Sequence, residues 1–196
     1  MAWVIVGLGN PGEEFGATRH NAGRMAVEFF ARHFAFRDFR EDKKSKSLIS
    51  SGLVGKTTVA LVLPDTFMNK SGSAVSKFVK SARAAERLVV VYDDLDLPLG
   101  KMKISYDRGS GGHKGLESVM RAVKTQKFIR IRIGVSPSTA SGALRKPEGE
   151  KVVNNFILTK FRPHEMEELK IMFKRIVTAL EMIVLDGRER AMNSFN

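Results

Sequence analysis

The chain has 196 residues, of which 43% are hydrophobic and 28% are charged; this is enough apolar material for a packed core and excludes a disordered chain. The 33 Lys and Arg residues exceed the 21 Asp and Glu residues, so the formal net charge is +12. This surplus predicts a polyanionic partner such as nucleic acid, although the same charge can simply keep a protein surface soluble.

Cysteine is missing from the sequence, which excludes disulfides, a thiolate nucleophile and cysteine-bound zinc. It favours a reducing compartment, and we expect a cytoplasmic protein. The N-terminus does not resemble a signal peptide, and no apolar run approaches the ~20 residues of a membrane span, so we expect no membrane association.

The first half of the chain shows apolar runs typical of buried strands and apolar residues at helical spacing. The predicted elements are a strand at 3–6, a helix at 21–35 capped by Asn21, a hairpin of strands 47–54 and 57–63, a helix at 71–80 and a strand at 88–92.

The second half continues the alternation of strands and helices. It predicts strands at 102–106 and 128–135, a helix at 116–123, a loop at 136–150 and a final helix at 163–185 that Gly187 ends. We therefore expect one α/β domain over residues 1–196, in which helices flank a mixed, mostly parallel sheet as a three-layer sandwich.

Two glycine motifs suggest phosphate-binding loops but lack the required context. Residues 7–12 fit G-x-G-x-x-G, yet Pro11 removes a loop N–H and Gly16 interrupts the following helix. Residues 55–57 read Gly-Lys-Thr but lead into a β-branched strand, whereas a P-loop leads into a helix. A dinucleotide enzyme and a nucleoside triphosphatase are therefore both disfavoured.

Histidine is the remaining candidate for activating water, because neither a thiol nor a G-x-S-x-G serine is present. His20 precedes the first helix near the carboxyl end of the first strand, and Asp93 follows the strand 88–92 at the same expected sheet edge. Asp93 can orient the His20 ring through Nδ1. A structural histidine, and an aspartate turn or acidic metal cluster at residues 93–96, remain open alternatives.

Neutral and apolar side chains follow other predicted strands. Asn10 and Asn69 can hold water or donate to a carbonyl oxygen that gains charge. Phe67 and Met68 offer apolar surface for a base, a sugar or a side chain. Each of these residues is equally compatible with a turn or core position.

Five blocks in this order resemble the bacterial-type peptidyl-tRNA hydrolase family, from near Val4 to the last predicted helix. The blocks are Val6-Gly7-Leu8-Gly9-Asn10-Pro11-Gly12, Thr18-Arg19-His20-Asn21-Ala22-Gly23, Thr66-Phe67-Met68-Asn69-Lys70-Ser71-Gly72, Asp93-Asp94-Leu95-Asp96-Leu97-Pro98, and Gly111-Gly112-His113-Lys114-Gly115-Leu116 followed by Ile131-Arg132-Ile133-Gly134.

The resemblance implies a monomeric enzyme without metal or cofactor that hydrolyses the ester between a peptide and the terminal ribose of tRNA. It implies that His20 is the base, that Asp93 orients it, and that a mobile loop after Gly134 borders the cleft. The residues assigned to the peptide and the tRNA 3′ end are Asn10, Phe67, Met68, Asn69, His113 and Lys114, and those assigned to the rest of the tRNA are Lys103, Arg108 and Arg132.

Three positions depart from the family pattern. Lys114 replaces the common asparagine, Ser105 replaces a basic residue that often contacts phosphate, and Phe15 replaces the usual tyrosine. Some relatives are RNA-binding factors without hydrolytic activity, so RNA binding alone is the alternative function. The presence of His20 and Asp93 favours the enzyme, whereas Lys114 would also suit an RNA-binding surface.

Overall fold

The computed structural model describes residues 2–139 and 141–196, in which a seven-stranded mixed sheet carries helices on both faces. The strands are β1 (Trp3–Gly7), β2 (Arg40–Asp42), β3 (Ser47–Val54), β4 (Thr57–Pro64), β5 (Leu88–Pro98), β6 (Met102–Tyr106) and β7 (Ile129–Ser136). The helices are α1 (Ala22–His33), α2 (Ser71–Val75), α3 (Ala82–Ala85), α4 (Lys114–Val123), α5 (Glu150–Ile157), α6 (Pro163–Asp186) and α7 (Arg188–Phe195).

The strand order is β2-β3-β4-β1-β5-β7-β6. The four central strands β4, β1, β5 and β7 run parallel, which confirms a mixed sheet with a parallel centre. The predicted β3–β4 hairpin is present, and Gly55 in its turn has a φ of 57°, a left-handed conformation that glycine adopts without strain. Antiparallel pairing extends beyond this hairpin, because β2 pairs with β3 and β6 pairs with β7.

The core lies in two layers, one on each face of the sheet, which confirms the three-layer sandwich. Alternate residues of β5 point to opposite faces, as the period of a strand requires. Val89 and Val91 pack with α1, α6 and α7, whereas Leu88, Val90 and Tyr92 pack with α2, α3 and α4. Helix α1 approaches the sheet closely at Gly23, where a Cβ atom would overlap the Val91 carbonyl.

Several helix boundaries differ from the predicted ones. Helix α2 ends at Val75 instead of residue 80, and α6 is followed by α7 after Gly187, so it is not the last helix. Helix α5 was not predicted at all, although Val153, Phe156 and Ile157 have helical spacing. The signal was weak because the apolar residues span fewer than two turns of a helix of only eight residues, too short a window for a helical period to stand out.

The predicted loop 136–150 corresponds to the segment between β7 and α5, with an isolated bridge between Ser138 and Leu144. Ala140 of this segment lies outside the described residues. Across residues 2–139 and 141–196, none of the helices has the length and apolar character needed to cross a membrane.

Candidate active site

The first element of the site is the carboxyl end of β5, which is longer than the predicted strand 88–92. Asp93 and Asp94 continue the ladder and pair in register with Ile133 and Gly134 of β7. Gly134 permits the extension, because a Cβ atom there would overlap the Pro98 carbonyl. The Asp93 carboxylate therefore projects from a strand and is held more rigidly than a loop residue would be.

His20 lies on the short 3-10 turn Arg19–Asn21 that precedes α1, and it is 7% exposed. The turn is held in place by Arg19, which forms an ion pair of 2.6 Å with Glu165 of α6. His20 Nδ1 lies 3.0 Å from both carboxylate oxygens of Asp93. The structure thus brings together the two residues that the sequence analysis paired.

His113 is the second imidazole bound to Asp93. Its Nδ1 accepts the Leu116 N–H at 3.1 Å as the N-cap of α4, so its proton must be on Nε2 in the neutral ring. That Nε2 donates to Asp93 Oδ1 at 3.1 Å. Both ring nitrogens of His113 are therefore used within the protein, and the edge of the Tyr92 ring packs against the imidazole at 4.9 Å between centroids.

The carboxylate of Asp93 remains ionised despite being 3% exposed. Burial raises its pKa, but the neighbouring imidazoles of His20 and His113, through attraction and hydrogen bonding, outweigh this and hold the pKa well below its ordinary range. An ionised Asp93 accepts the Nδ1–H of His20. In the neutral form of that ring the second nitrogen, Nε2, carries no proton, and it has no hydrogen-bond partner among the described residues.

Asn10 is fixed by two neighbouring segments. Its backbone N–H donates to Asn21 Oδ1 at 2.8 Å, and its carbonyl accepts from Asn21 Nδ2 at 2.9 Å. Its own Oδ1 accepts the Met68 N–H at 2.9 Å, which leaves Nδ2 as an unused donor within residues 2–139 and 141–196. Asn21 was predicted to cap α1, but its side chain makes no cap bond and clamps Asn10 instead.

These groups line one cavity of about 590 Å³. All residues predicted to bind the peptide or the tRNA 3′ end contribute to its lining: Asn10, Phe67, Met68, Asn69, His113 and Lys114. Phe67 is 62% exposed at the rim, whereas Met68 is buried. Val153 and Ile157 of the unpredicted helix α5 form part of the wall, so this side of the cleft was not predicted from the sequence.

The predicted tRNA contacts lie outside this lining. Lys103 and Arg108 are exposed on and just after β6, and Lys103 is directly opposite Arg132 in the β6–β7 ladder. Arg132 is 6% exposed, and its Nε donates to Asp94 at 2.6 Å. A structural ion pair thus already engages Arg132, and its contact with tRNA stays a prediction.

The aspartates at residues 93–96 do not converge on a common point, which disfavours an acidic metal cluster. Asp94 pairs with Arg132, and Asp96 pairs with Lys146 at 2.5 Å. Within the described part of the chain, the group that could hold a metal ion is His20, Asp93 and His113, whose ligand atoms lie within 4.8 Å of one another. An ion there would have to replace the two N–H protons that bind Asp93.

The fold and the site together define a class of protein: an α/β protein with a carboxylate-oriented histidine beside neutral amides in a cleft, an arrangement found in enzymes that activate water. The family model described as peptidyl-tRNA hydrolase matches residues 4–196. The chain belongs to the peptidyl-tRNA hydrolase family.

Individual relatives agree over almost the whole chain. A peptidyl-tRNA hydrolase of Herpetosiphon aurantiacus is 42% identical over 198 residues, covering 99% of this chain and 90% of that protein. One of Chloroflexus aggregans is 39% identical and covers 99% of this chain and 98% of that protein. The crystal structure of peptidyl-tRNA hydrolase from Acinetobacter baumannii superposes with a TM-score of 0.87 at 31% identity, covering 100% of this chain and 94% of that one.

Proposed function

We propose that this protein hydrolyses the ester bond between the peptide and the tRNA of peptidyl-tRNA, releasing free tRNA, and that residues 1–196 act as one domain. The observation that carries the proposal is the His20 ring at the cleft, whose Nδ1 is bound by Asp93 while Nε2 has no partner among residues 2–139 and 141–196. Membership of the family indicates peptidyl-tRNA as the substrate, and the net charge of +12 favours binding of a polyanion such as tRNA.

The proposed reaction begins when His20 Nε2 takes a proton from a water molecule in the cleft. The water oxygen attacks the ester carbonyl, and Asp93 stabilises the imidazolium that forms. Asn10 Nδ2 and the Asn69 amide donate hydrogen bonds to the carbonyl oxygen as it gains negative charge. The bond to the ribose oxygen then breaks, and His20 returns its proton to that oxygen, which leaves a free carboxyl group and a free hydroxyl.

Substrate contacts follow from the lining of the cleft. Phe67 and Met68 offer apolar surface to the peptide or the terminal base, and Lys114 offers a positive charge at the rim. His113 acts on the substrate indirectly, because its nitrogens already bind Asp93 and Leu116. Lys103 and Arg108, with Arg132 beside them, are the proposed contacts with tRNA phosphates. We place the protein, as a monomer, in the cytoplasm where this substrate is made.

The test is cleavage of peptidyl-tRNA by the purified protein and by His20→Ala. We expect the substitution to lower kcat by about 10²-fold or more, the loss typical of a missing general base. His164→Ala is the matched control, because His164 is exposed on the first turn of α6 and is not among the residues that line the cleft. RNA binding without any cleavage by the unsubstituted protein would favour the alternative of a non-hydrolytic RNA-binding factor.

A further inference from the structure

Lys114 is the first residue of α4 and directly follows His113, whose ring binds Asp93. Its ammonium group lies 3.1 Å from Glu150 Oε1, at the start of α5 on the other side of the cleft. The side chains are 56% and 80% exposed, so this ion pair is weak, because water screens both charges.

Two cationic side chains line the described part of the cleft, Lys114 and Lys146. Lys146 is paired with Asp96, which lines the same cleft, so the charge of Lys146 already neutralises a carboxylate inside the cleft. The partner of Lys114, Glu150, is not part of the lining. Releasing Lys114 from Glu150 therefore leaves no unpaired carboxylate inside the cleft.

We propose that Lys114 binds the phosphate on the 5′ carbon of the terminal nucleotide of the substrate, and that Glu150 occupies this position in the free protein. This inference rests on the proposed function. Binding then exchanges one anion for another: the phosphate replaces the carboxylate, and Glu150 returns to water at the first turn of α5, where the helix dipole favours a negative charge.

The position of Lys114 favours this particular phosphate. The ester and the 5′-phosphate are attached to the same ribose, so a cation that reaches this phosphate must lie close to the base His20. Lys114 satisfies this condition, because its neighbour His113 binds the same carboxylate as His20 and the two imidazole rings lie 5.0 Å apart. A lysine on a flexible stem suits a phosphate that it binds as a point charge.

Glu150 accordingly acts as a built-in competitor, which predicts opposite effects for the two members of one ion pair. Lys114→Gln removes the phosphate contact and weakens binding. Glu150→Gln frees Lys114 and strengthens binding. A purely structural ion pair predicts the same direction for both substitutions, because either one breaks it.

The experiment measures equilibrium binding of adenosine 5′-monophosphate and of adenosine by NMR titration at low salt. The unsubstituted protein should bind the phosphorylated ligand more tightly. Glu150→Gln should raise this preference about 1.4- to fivefold, the range that loss of an exposed ion pair supports. Lys114→Gln should reduce the preference to about one, and Lys114→Arg should retain most of it because the charge remains.

Glu167→Gln is the matched control, because Glu167 forms an ion pair with Lys170 on α6 that is about as exposed as the Lys114–Glu150 pair. This substitution changes the net charge by the same amount as Glu150→Gln. It should leave the preference unchanged. An unchanged preference in Lys114→Gln, or a Glu150→Gln effect no larger than that of Glu167→Gln, overturns the proposal. These measurements need no cleavage, so a protein that fails to hydrolyse peptidyl-tRNA refutes the proposed function separately.

Discussion

Asp93→Asn should block the proposed base, His20, while leaving the His20 side chain in place. Asp93 accepts N–H groups from both His20 and His113, and an asparagine amide offers one oxygen and one NH₂ group in place of two oxygens. His113 must remain a donor through Nε2, because the Leu116 N–H occupies its Nδ1. The amide oxygen of the new asparagine therefore faces His113, and its NH₂ group faces His20.

The NH₂ group then stands where Asp93 Oδ2 lies, 3.0 Å from His20 Nδ1, and favours the tautomer in which His20 accepts at Nδ1 and carries its proton on Nε2, the nitrogen proposed to receive the proton from water. The base is then blocked, and we expect kcat for peptidyl-tRNA to fall by about 10²- to 10⁴-fold, the usual contribution of general base catalysis. Loss of the negative charge, which otherwise stabilises the imidazolium, acts in the same direction. The KM value should change little, because Asp93 is 3% exposed and reaches the substrate through His20.

Two measurements check this prediction: single-turnover hydrolysis, and ¹⁵N NMR of the imidazole nitrogens, which reports the tautomer of His20. Asp96→Asn is the control, because Asp96 is half-exposed and paired with Lys146 instead of a histidine. The reasoning is refuted if Asp93→Asn keeps the Nδ1–H tautomer of His20, or if Asp96→Asn lowers kcat more than Asp93→Asn does.

Two further predictions concern tRNA binding and alkaline titration. Lys103→Ala and Arg108→Ala should each lower the magnitude of the slope of log K against log salt for tRNA binding by about 0.7 to 0.9, which is the contribution of one phosphate contact. Lys174→Ala on α6 is the control and should leave the slope unchanged. Unchanged slopes in the first two variants would show that tRNA binds elsewhere on the protein. Arg132→Ala is a poorer probe, because it also leaves Asp94 unpaired. Burial and the nearby charge of Asp94 raise the pKa of Tyr92 from 10.0 to about 12, so the folded state favours the neutral phenol. The resulting contribution to the free energy of unfolding is fully present below pH 10 and is lost as the pH rises through 12. Absorbance titration at 295 nm should show this late step, and Tyr92→Phe should remove it; a step near pH 10 that disappears in Tyr92→Phe would contradict the prediction.

The central sheet was predictable because its strands are continuous apolar runs, and the His20–Asp93 pair was predictable because both residues follow such runs at one sheet edge. The length of β5 was not predictable. Its acidic residues are typical of a turn, and they stay in the strand because β7 continues beside them and Gly134 makes room. Here a tertiary contact overrides the local preference of the sequence.

The cleft wall and the clamp on Asn10 were missed for a different reason. Helix α5 is eight residues long, too short a stretch for its apolar spacing to stand out as a helical period. Asn21 stands where a helix cap is common, and only the folded chain shows that its amide binds Asn10 across eleven residues. Both features depend on contacts between segments, which spacing along the chain does not record.

The carboxyl end of β5 also explains how an acidic sheet edge can accept a polyanion. Asp93, Asp94 and Asp96 would together repel a phosphate backbone. Each carboxylate instead has its own donors: the two imidazoles at Asp93, Arg132 at Asp94 and Lys146 at Asp96. The acids are thus compensated before substrate arrives. Lys114, whose ion-pair partner among the described residues is the exposed Glu150, is then the cleft cation that a phosphate can bind with the smallest electrostatic penalty.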